Sequence, residues 1–587
     1  MFLGRKIFLV FSIFISVAAA AQVSTWVPAK DSMPVVEGQA WPQELAGTYS
    51  RLPLSAKQKV TEAVWDLSEN SAGLILRFNT NSPNIKVRYT VSGGREFRHM
   101  PATGVSGLDL YGKDRDGKWL WFPGRYQFAD TITYTFSSLL SNDDTTGRLY
   151  QYQLYLPLYN TIKSLQVEYP SKNKLSPAGV RLEKPIVVYG TSIAQGGCAS
   201  RPGLAWTSIL ERSMDRPLIN LGFSGNGTLD SSVIDLLTEI DARVYILDCL
   251  PNLIDRETFP DDVLEQKIRH SVTALRAKRP NVPIVLSEHS AGSASSERHL
   301  KEDNAYEHAN NVLRKTFREM QAGGIKNIYL LTNTEIGFTS TATVDGEHPT
   351  DAGMEKNAQA YERILRKVLN EPVGKSTTTI PVSQSRDAFY FFPTRHQEVL
   401  KLNRHRKPET VFIGNSIVHM WGGDPSSSIV NGKTSWDELF GPMNTVNMGY
   451  GWDRVENVIW RIHHDELDGF EAKRIIVMIG TNNIGLNSDG DIIAGLEAIY
   501  SAIRVKQASA KLYLIGILPR VQQESRVATL NKKISALAKR YKASYADPGR
   551  VLLDDKGKTN ELLFGDGLHP NEEGYRKLML ELRKILK

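Results

Sequence analysis

Two cysteines in 587 residues, Cys198 and Cys249, are too few for a disulfide scaffold, and they stand at no Cys/His spacing that would hold a metal. There is no phosphate-cradling Walker loop and no dinucleotide fingerprint, so no cofactor is expected. Lys and Arg total 71 against 64 Asp and Glu, a net charge of +7. That excess is dilute: it forms no basic run and no basic helix face, which excludes nucleic acid as the expected partner. Long apolar runs are missing too. The stretch from Ile7 to Val17 is short of the roughly 18 to 20 residues a membrane helix needs.

That stretch instead belongs to a leader. Arg5 and Lys6 precede it and Ala19-Ala20-Ala21 follow it, which gives residues 1–21 the build of a secretory signal. The mature chain is therefore expected to be exported, periplasmic or secreted, with no integral membrane segment. An oxidising compartment would permit a Cys198–Cys249 bridge; two separately buried thiols are the equal alternative.

What is present is a change of pattern along the chain. Its length calls for several domains. Residues 22–180 alternate apolar and polar positions, as in Ile85-Lys86-Val87-Arg88-Tyr89, with turn clusters between, which predicts a β-sandwich. Trp26, Trp41, Trp65, Trp119 and Trp121 fall here and are expected in its core. Residues 181–371 alternate strands such as Ile186-Val187-Val188-Tyr189 with helical stretches such as 352–369. Residues 372–385, rich in Ser, Thr and Pro, read as a linker. The strand–helix alternation then returns over 386–587. Both regions predict parallel α/β sheets with their chemistry at the carboxyl ends of the strands.

Four short motifs occur in both regions in the same order. The first set is Gly190-Thr191-Ser192, Asn220 to Gly225, Pro251-Asn252 and Asp345-Gly346-Glu347-His348. The second is Gly414-Asn415-Ser416, Asn447 to Gly451, Gly480-Thr481-Asn482 and Asp566-Gly567-Leu568-His569. Serine and histidine are separated by 156 and 153 residues. A serine hydroxyl needs a base to become a nucleophile; His348 and His569 are the matching bases. Asp345 and Asp566, three residues earlier on a tight loop, can reach the ring Nδ1 and hold the tautomer. The tetrahedral intermediate needs fixed N–H donors. Gly225 and Asn252 suit the first site; Asn482 and the Gly451–Trp452 turn suit the second. Arg201 is a candidate to hold a substrate oxygen. Glu288-His289 follows a strand and is left as structural.

These blocks resemble the SGNH, or GDSL-type, hydrolase family over residues 183–371 and again over 408–587. The resemblance implies two three-layer α/β/α flavodoxin-like domains, with Ser192, Asp345 and His348, and Ser416, Asp566 and His569, as catalytic sets. Gly480-Thr481-Asn482-Asn483 resembles the platelet-activating-factor-acetylhydrolase-like branch. Gly107-Leu108-Asp109-Leu110-Tyr111 is similar to the Gly-x-Asp-Leu-Tyr motif of a bacterial subgroup and ties the β-sandwich to the first hydrolase domain. The family's Gly-Asp-Ser is Gly-Thr-Ser and Gly-Asn-Ser here, and Trp452 stands where many relatives have the oxyanion glycine. The expected function is an exported carbohydrate esterase removing acyl groups, acetyl foremost, from an acylated glycan. A lipase, thioesterase or acyltransferase of the same mechanism is the nearest alternative, and a glycan-binding protein with a decayed catalytic domain comes from another class.

Overall fold

The computed structural model describes residues 24–586 apart from 34–35, 143, 145, 290–299 and 387–388; the leader expected at 1–21 lies outside the described residues. Among the described residues no helix is long and apolar enough to cross a membrane.

Two five-stranded sheets carry the serines. The first contains Ile186–Gly190 (β1), Leu218–Gly222 (β2), Val244–Asp248 (β3), Ile284–Ser287 (β4) and Ile328–Leu331 (β5). Its order is β2-β1-β3-β4-β5, with every neighbour parallel. The second contains Thr410–Gly414 (β6), Thr445–Gly449 (β7), Arg474–Met478 (β8), Lys511–Ile515 (β9) and Ser544–Ala546 (β10). Its order, β7-β6-β8-β9-β10, is the same and again parallel throughout. Parallel neighbours need crossovers, which cover both faces of the sheet. The side chains agree. Along β1, Val187 and Tyr189 enter one apolar cluster while Ile186 and Val188 enter another. Along β6, Val411 and Ile413 go one way and Phe412 the other. Burial on both faces is why these strands read as unbroken apolar runs. An apolar pattern alone does not pick out β2 and β7. Each has a buried asparagine at its centre, Asn220 or Asn447, whose Oδ1 accepts the N–H two residues on at 2.8 Å.

The register aligns Gly190 with Gly222 and Asp248, and Gly414 with Gly449 and Met478. β1 and β6 therefore end level with both their neighbours. The crevice beyond such a switch point is where an open α/β sheet binds ligands, and the residues just past Gly190 and Gly414 are Thr191-Ser192 and Asn415-Ser416.

Before the first sheet lie two antiparallel sheets that share one core. Ile85, Val87, Ile132, Phe136 and Val167 of one meet Leu76, Phe78, Leu110, Tyr152 and Leu154 of the other. Strands Ile75–Thr80 and Tyr150–Tyr155 are buried on both faces, because their outer face packs on the first hydrolase unit. There Gln153 and Tyr155 bond Glu211 at 3.2 and 2.5 Å. The five tryptophans do not build this core. Trp26 and Trp119 are partly buried, Trp41 and Trp65 pack against the core of the first hydrolase unit, and Trp121 is exposed. Two of the indole N–H groups find polar partners: Trp41 donates to Glu239 at 2.8 Å and Trp121 to Asp109 at 2.6 Å.

The segment expected as a linker is packed rather than loose. Thr378 is fully buried with its hydroxyl on the Asp491 carbonyl at 2.7 Å, and Ser383 and Gln384 are buried as well. Its Ser and Thr content supplies hydrogen bonds to both hydrolase units. Beyond it, His396 joins the units directly: its ring nitrogens meet Glu466 at 2.8 Å and Glu183 at 3.3 Å.

Candidate active sites

Each serine opens a one-turn helix immediately after β1 or β6, Ser192–Gln195 and Ser416–His419. The residue before it caps that turn. Thr191 Oγ1 accepts the Ile193 N–H at 3.3 Å, and Asn415 Oδ1 accepts the Ile417 N–H at 3.0 Å. Asp, Asn and Thr all make this cap, so the two departures from Gly-Asp-Ser keep the local geometry.

The histidines arrive from the far end of each sheet. Ser192 Oγ lies 2.8 Å from His348 Nε2, and His348 Nδ1 lies 2.8 Å from Asp345 Oδ2. In the second unit the distances are 2.8 Å for Ser416–His569 and 2.7 Å for His569–Asp566. The aspartates are oriented by their own loops. Asp345 Oδ1 accepts the N–H groups of Glu347 and His348 at 3.0 and 2.7 Å, and Asp566 Oδ1 those of Leu568 and His569 at 3.0 and 2.7 Å. Partial burial pushes both carboxyls up, but these N–H groups and the imidazoles outweigh it and hold them below the usual carboxylate range. Each aspartate therefore stays ionised and each ring keeps Nε2 as the acceptor facing its serine. Such a relay can deprotonate the hydroxyl as it attacks a carbonyl.

The donor loops match residue for residue. Gly225 and Trp452 have φ of +69° and +62°, so the Trp452 N–H stands where the Gly225 N–H stands in the first unit. Gly451, expected to share this role, does not: its N–H goes to His419 Nδ1 at 3.2 Å. The preceding N–H in the first unit, that of Ser224, likewise goes to Gln195 Oε1 at 3.0 Å. Gln195 and His419 each stand three residues after their serine, a spacing visible in the sequence but assigned no role there. Asn252 Oδ1 accepts the Gly227 N–H at 3.0 Å, which leaves the amide NH₂ as the end for an oxyanion. One Nδ2 hydrogen of Asn482 goes to the Asp453 carbonyl at 2.9 Å, and an amide carries a second.

Two buried arginines support these loops. Arg51 donates to the carbonyls of Gly222 at 2.6 Å and Asn220 at 3.3 Å and lies 4.9 Å from the Phe223 ring centre. Arg395 donates to Gly449 at 2.8 Å and Asn447 at 3.2 Å and lies 5.3 Å from Tyr450. They come from unrelated segments, one in the amino-terminal unit and one in the helix Phe392–Arg406, so no sequence spacing announces them.

Arg201 is engaged elsewhere than expected. Its guanidinium pairs with Asp109 of the Gly-Leu-Asp-Leu-Tyr motif, bonds Tyr111 at 2.8 Å and lies 4.1 Å from the Trp121 ring centre. Asp109 also takes the Gly203 N–H at 3.0 Å, so the motif's aspartate clamps the loop after the first nucleophile. Glu288 holds Arg314 and the Asn333 N–H, both structural. His289 is buried on Tyr306, and burial together with nearby His348 pushes its ring down to about 3. Cys198 and Cys249 are both free and buried, which resolves that pair as two thiols.

The chain is similar to known proteins along most of its length. The model of the GDSL-like Lipase/Acylhydrolase family matches residues 183–366, and a second model with the same description matches 412–577. A model described as the N-terminus of Esterase_SGNH_hydro-type matches residues 24–175. A protein of Bacteroides ovatus, whose crystal structure is described as that of a GDSL-like lipase, is 30% identical with a TM-score of 0.53. That alignment covers 59% of this chain and 98% of that one. Platelet-activating factor acetylhydrolase IB subunit alpha1 of Homo sapiens is 28% identical over 198 residues, 32% of this chain and 80% of that protein. The alpha2 subunit of Rattus norvegicus is 28% identical over 200 residues, 33% of this chain and 82% of that protein.

Proposed function

The chain belongs to the GDSL-like lipase/acylhydrolase family and is a carboxylic ester hydrolase, and from that premise we propose an exported carbohydrate esterase with two serine active sites. The observation that carries the reading is the pair of complete relays, Ser192–His348–Asp345 and Ser416–His569–Asp566, each with serine and imidazole 2.8 Å apart. In each site the serine Oγ attacks the ester carbonyl while its proton passes to the histidine Nε2. The oxyanion is met by the Gly225 N–H and Asn252 amide in the first site, and by the Trp452 N–H and Asn482 amide in the second. The imidazolium then protonates the departing sugar oxygen, leaving an acyl-serine. Water, deprotonated by the same histidine, releases the acid and restores the hydroxyl.

A short acyl group fits best. The curated relatives are by name acetylhydrolases. A sugar as the alcohol is favoured by Trp121 and Tyr126, 47% and 56% exposed at the edges of the two different sheets of the amino-terminal unit, since flat aromatic faces stack on sugar rings. On the same footing we assign a leader at 1–21 and a β-sandwich at 22–180. The two hydrolase domains are then 181–371 and 386–587, joined by 372–385.

Acetate release from acetylated xylan, pectin and host glycans by Ser192→Ala, Ser416→Ala and the double variant tests the reading. Release should fall in parts with the single variants and vanish with both. A rate maximum at long acyl chains on p-nitrophenyl esters would move the substrate from sugars to lipids.

A further inference from the structure

Trp452 is the least comfortable residue of the second donor loop. Its φ of +62° lies in the left-handed region, where a Cβ is disfavoured and a bulky side chain more so. Such a conformation persists only when its surroundings over-determine it. The first domain avoids the problem with Gly225 at φ +69°.

The surroundings of Trp452 are supplied by Gln384 of the linker and by Arg386 and Tyr390 at the start of its own domain. Gln384 Nε2 lies 2.9 Å from the Gly451 carbonyl and 3.0 Å from Asp453 Oδ1, so one buried amide brackets Trp452 from both sides. Arg386 Nη1 donates to the Trp452 carbonyl itself at 3.2 Å. The Tyr390 hydroxyl adds a second bond to the Gly451 carbonyl at 2.8 Å. Gln384 and Arg386 are themselves fixed. Gln384 Oε1 accepts the Arg386 N–H at 2.8 Å, and Arg386 Nε donates to Asp116 of the amino-terminal unit at 2.6 Å. The bracket also reaches the other donor, because the Asp453 carbonyl receives the Asn482 amide at 2.9 Å. In the first domain the equivalent loop, with a glycine at this position, holds the Ser224 N–H on Gln195 and the Ser224 carbonyl on the Asn226 amide of the same loop.

We propose that Gln384 and Arg386 are positioning residues of the second active site, holding the 451–453 backbone so that a tryptophan can present its N–H to the oxyanion. The inference rests on Trp452 being an oxyanion donor. It makes the segment between the hydrolase domains part of the second site, and it connects that site through Asp116 to the amino-terminal unit. An interaction that aims a donor acts on the transition state more than on the bound ester, so its loss lowers kcat and leaves KM nearly unchanged.

The test uses the full chain carrying Ser192→Ala, so that p-nitrophenyl acetate hydrolysis reports Ser416. Gln384→Ala should lower kcat about 10-fold or more with KM within about twofold, a fraction of the 10²–10³ that follows outright loss of a donor. Arg386→Met, which leaves the buried amide in place, should act in the same direction by a smaller factor. The discriminating arm is Trp452→Gly. A glycine holds φ near +60° unaided, so adding Gln384→Ala to it should lower kcat less than about threefold. An equal loss in both backgrounds would make Gln384 a general structural residue and overturn the inference. So would a Ser416-dependent activity indifferent to both Gln384 and Arg386. Activity that survives Ser416→Ala in this background would instead overturn the site reading beneath it.

Discussion

Gln195 and His419 do the same work in the two hydrolase domains. Each stands three residues after its serine and accepts the N–H that precedes the oxyanion donor, from Ser224 at 3.0 Å and Gly451 at 3.2 Å. The shared bond removes that N–H from the chemistry and aims the next one. Burial pushes the His419 ring down to about 2, with Arg395 and Arg461 adding to it, so its Nδ1 stays an acceptor across any working pH.

The second domain should therefore accept the first domain's solution. With Ser192→Ala in place, His419→Gln should keep second-site kcat within about threefold, whereas His419→Leu, which strands the Gly451 N–H, should lower it about 10-fold. Equal losses in both would show that the acceptor is irrelevant.

On the proposed mechanism the aspartates orient rather than react. Asp345→Asn should lower first-site kcat by about 10³ to 10⁴ with little change in KM, and Asp566→Asn should do the same at the second site. Steady-state kinetics in the complementary serine-variant background read each separately. Because both carboxyls are held below their usual range, neither should contribute a titration to kcat above about pH 4.

His396 makes the contact between the hydrolase domains pH-dependent. Burial opposes its charge, but the hydrogen bonds and charges of Glu183 and Glu466 overcome that and raise its pKa to about 9. Both carboxyls are held low in spite of burial, so of these three groups only the imidazole titrates near neutral pH. A folded pKa above the unfolded one gives stability that is fully present below about pH 6.5 and is lost as pH rises through about 9. The unfolding free energy of the protein minus that of His396→Gln should thus shrink by on the order of 3 kcal/mol from pH 6 to 9.5. A difference flat in pH would contradict it.

The Asp109–Arg201 pair should behave as a domain clamp. Asp109→Asn and Arg201→Met should each lower the melting temperature, and the double variant should fall short of their sum by on the order of 2 kcal/mol. Strict additivity would mean that the two side chains do not share a bond in solution.

Much of this was legible in the sequence because it is local. A strand buried on both faces writes itself as an apolar run, so β1, β6 and β8 appear from composition alone. An aspartate three residues before a histidine on a tight loop needs no distant partner, which is why both dyads could be read directly. What joins distant segments stayed hidden. Arg51 reaches the Gly222 carbonyl across 171 residues, and Arg201 lies 92 residues from the Asp109 it pairs with. The linker misled for a related reason: Ser, Thr and Pro mark loose chain and hydrogen-bonded chain alike, and only the partners of Thr378 and Gln384 distinguish them. Gly451 and Trp452 could not be told apart as donors until His419 was seen to occupy one of the two N–H groups.

The account turns on two independent nucleophiles, and a fluorophosphonate probe counts them. Intact-protein mass should show two adducts on the wild type, one on Ser192→Ala, one on Ser416→Ala, and none on the double variant. A double variant that still takes up the probe, or a wild type whose only adduct survives both serine substitutions, would contradict it.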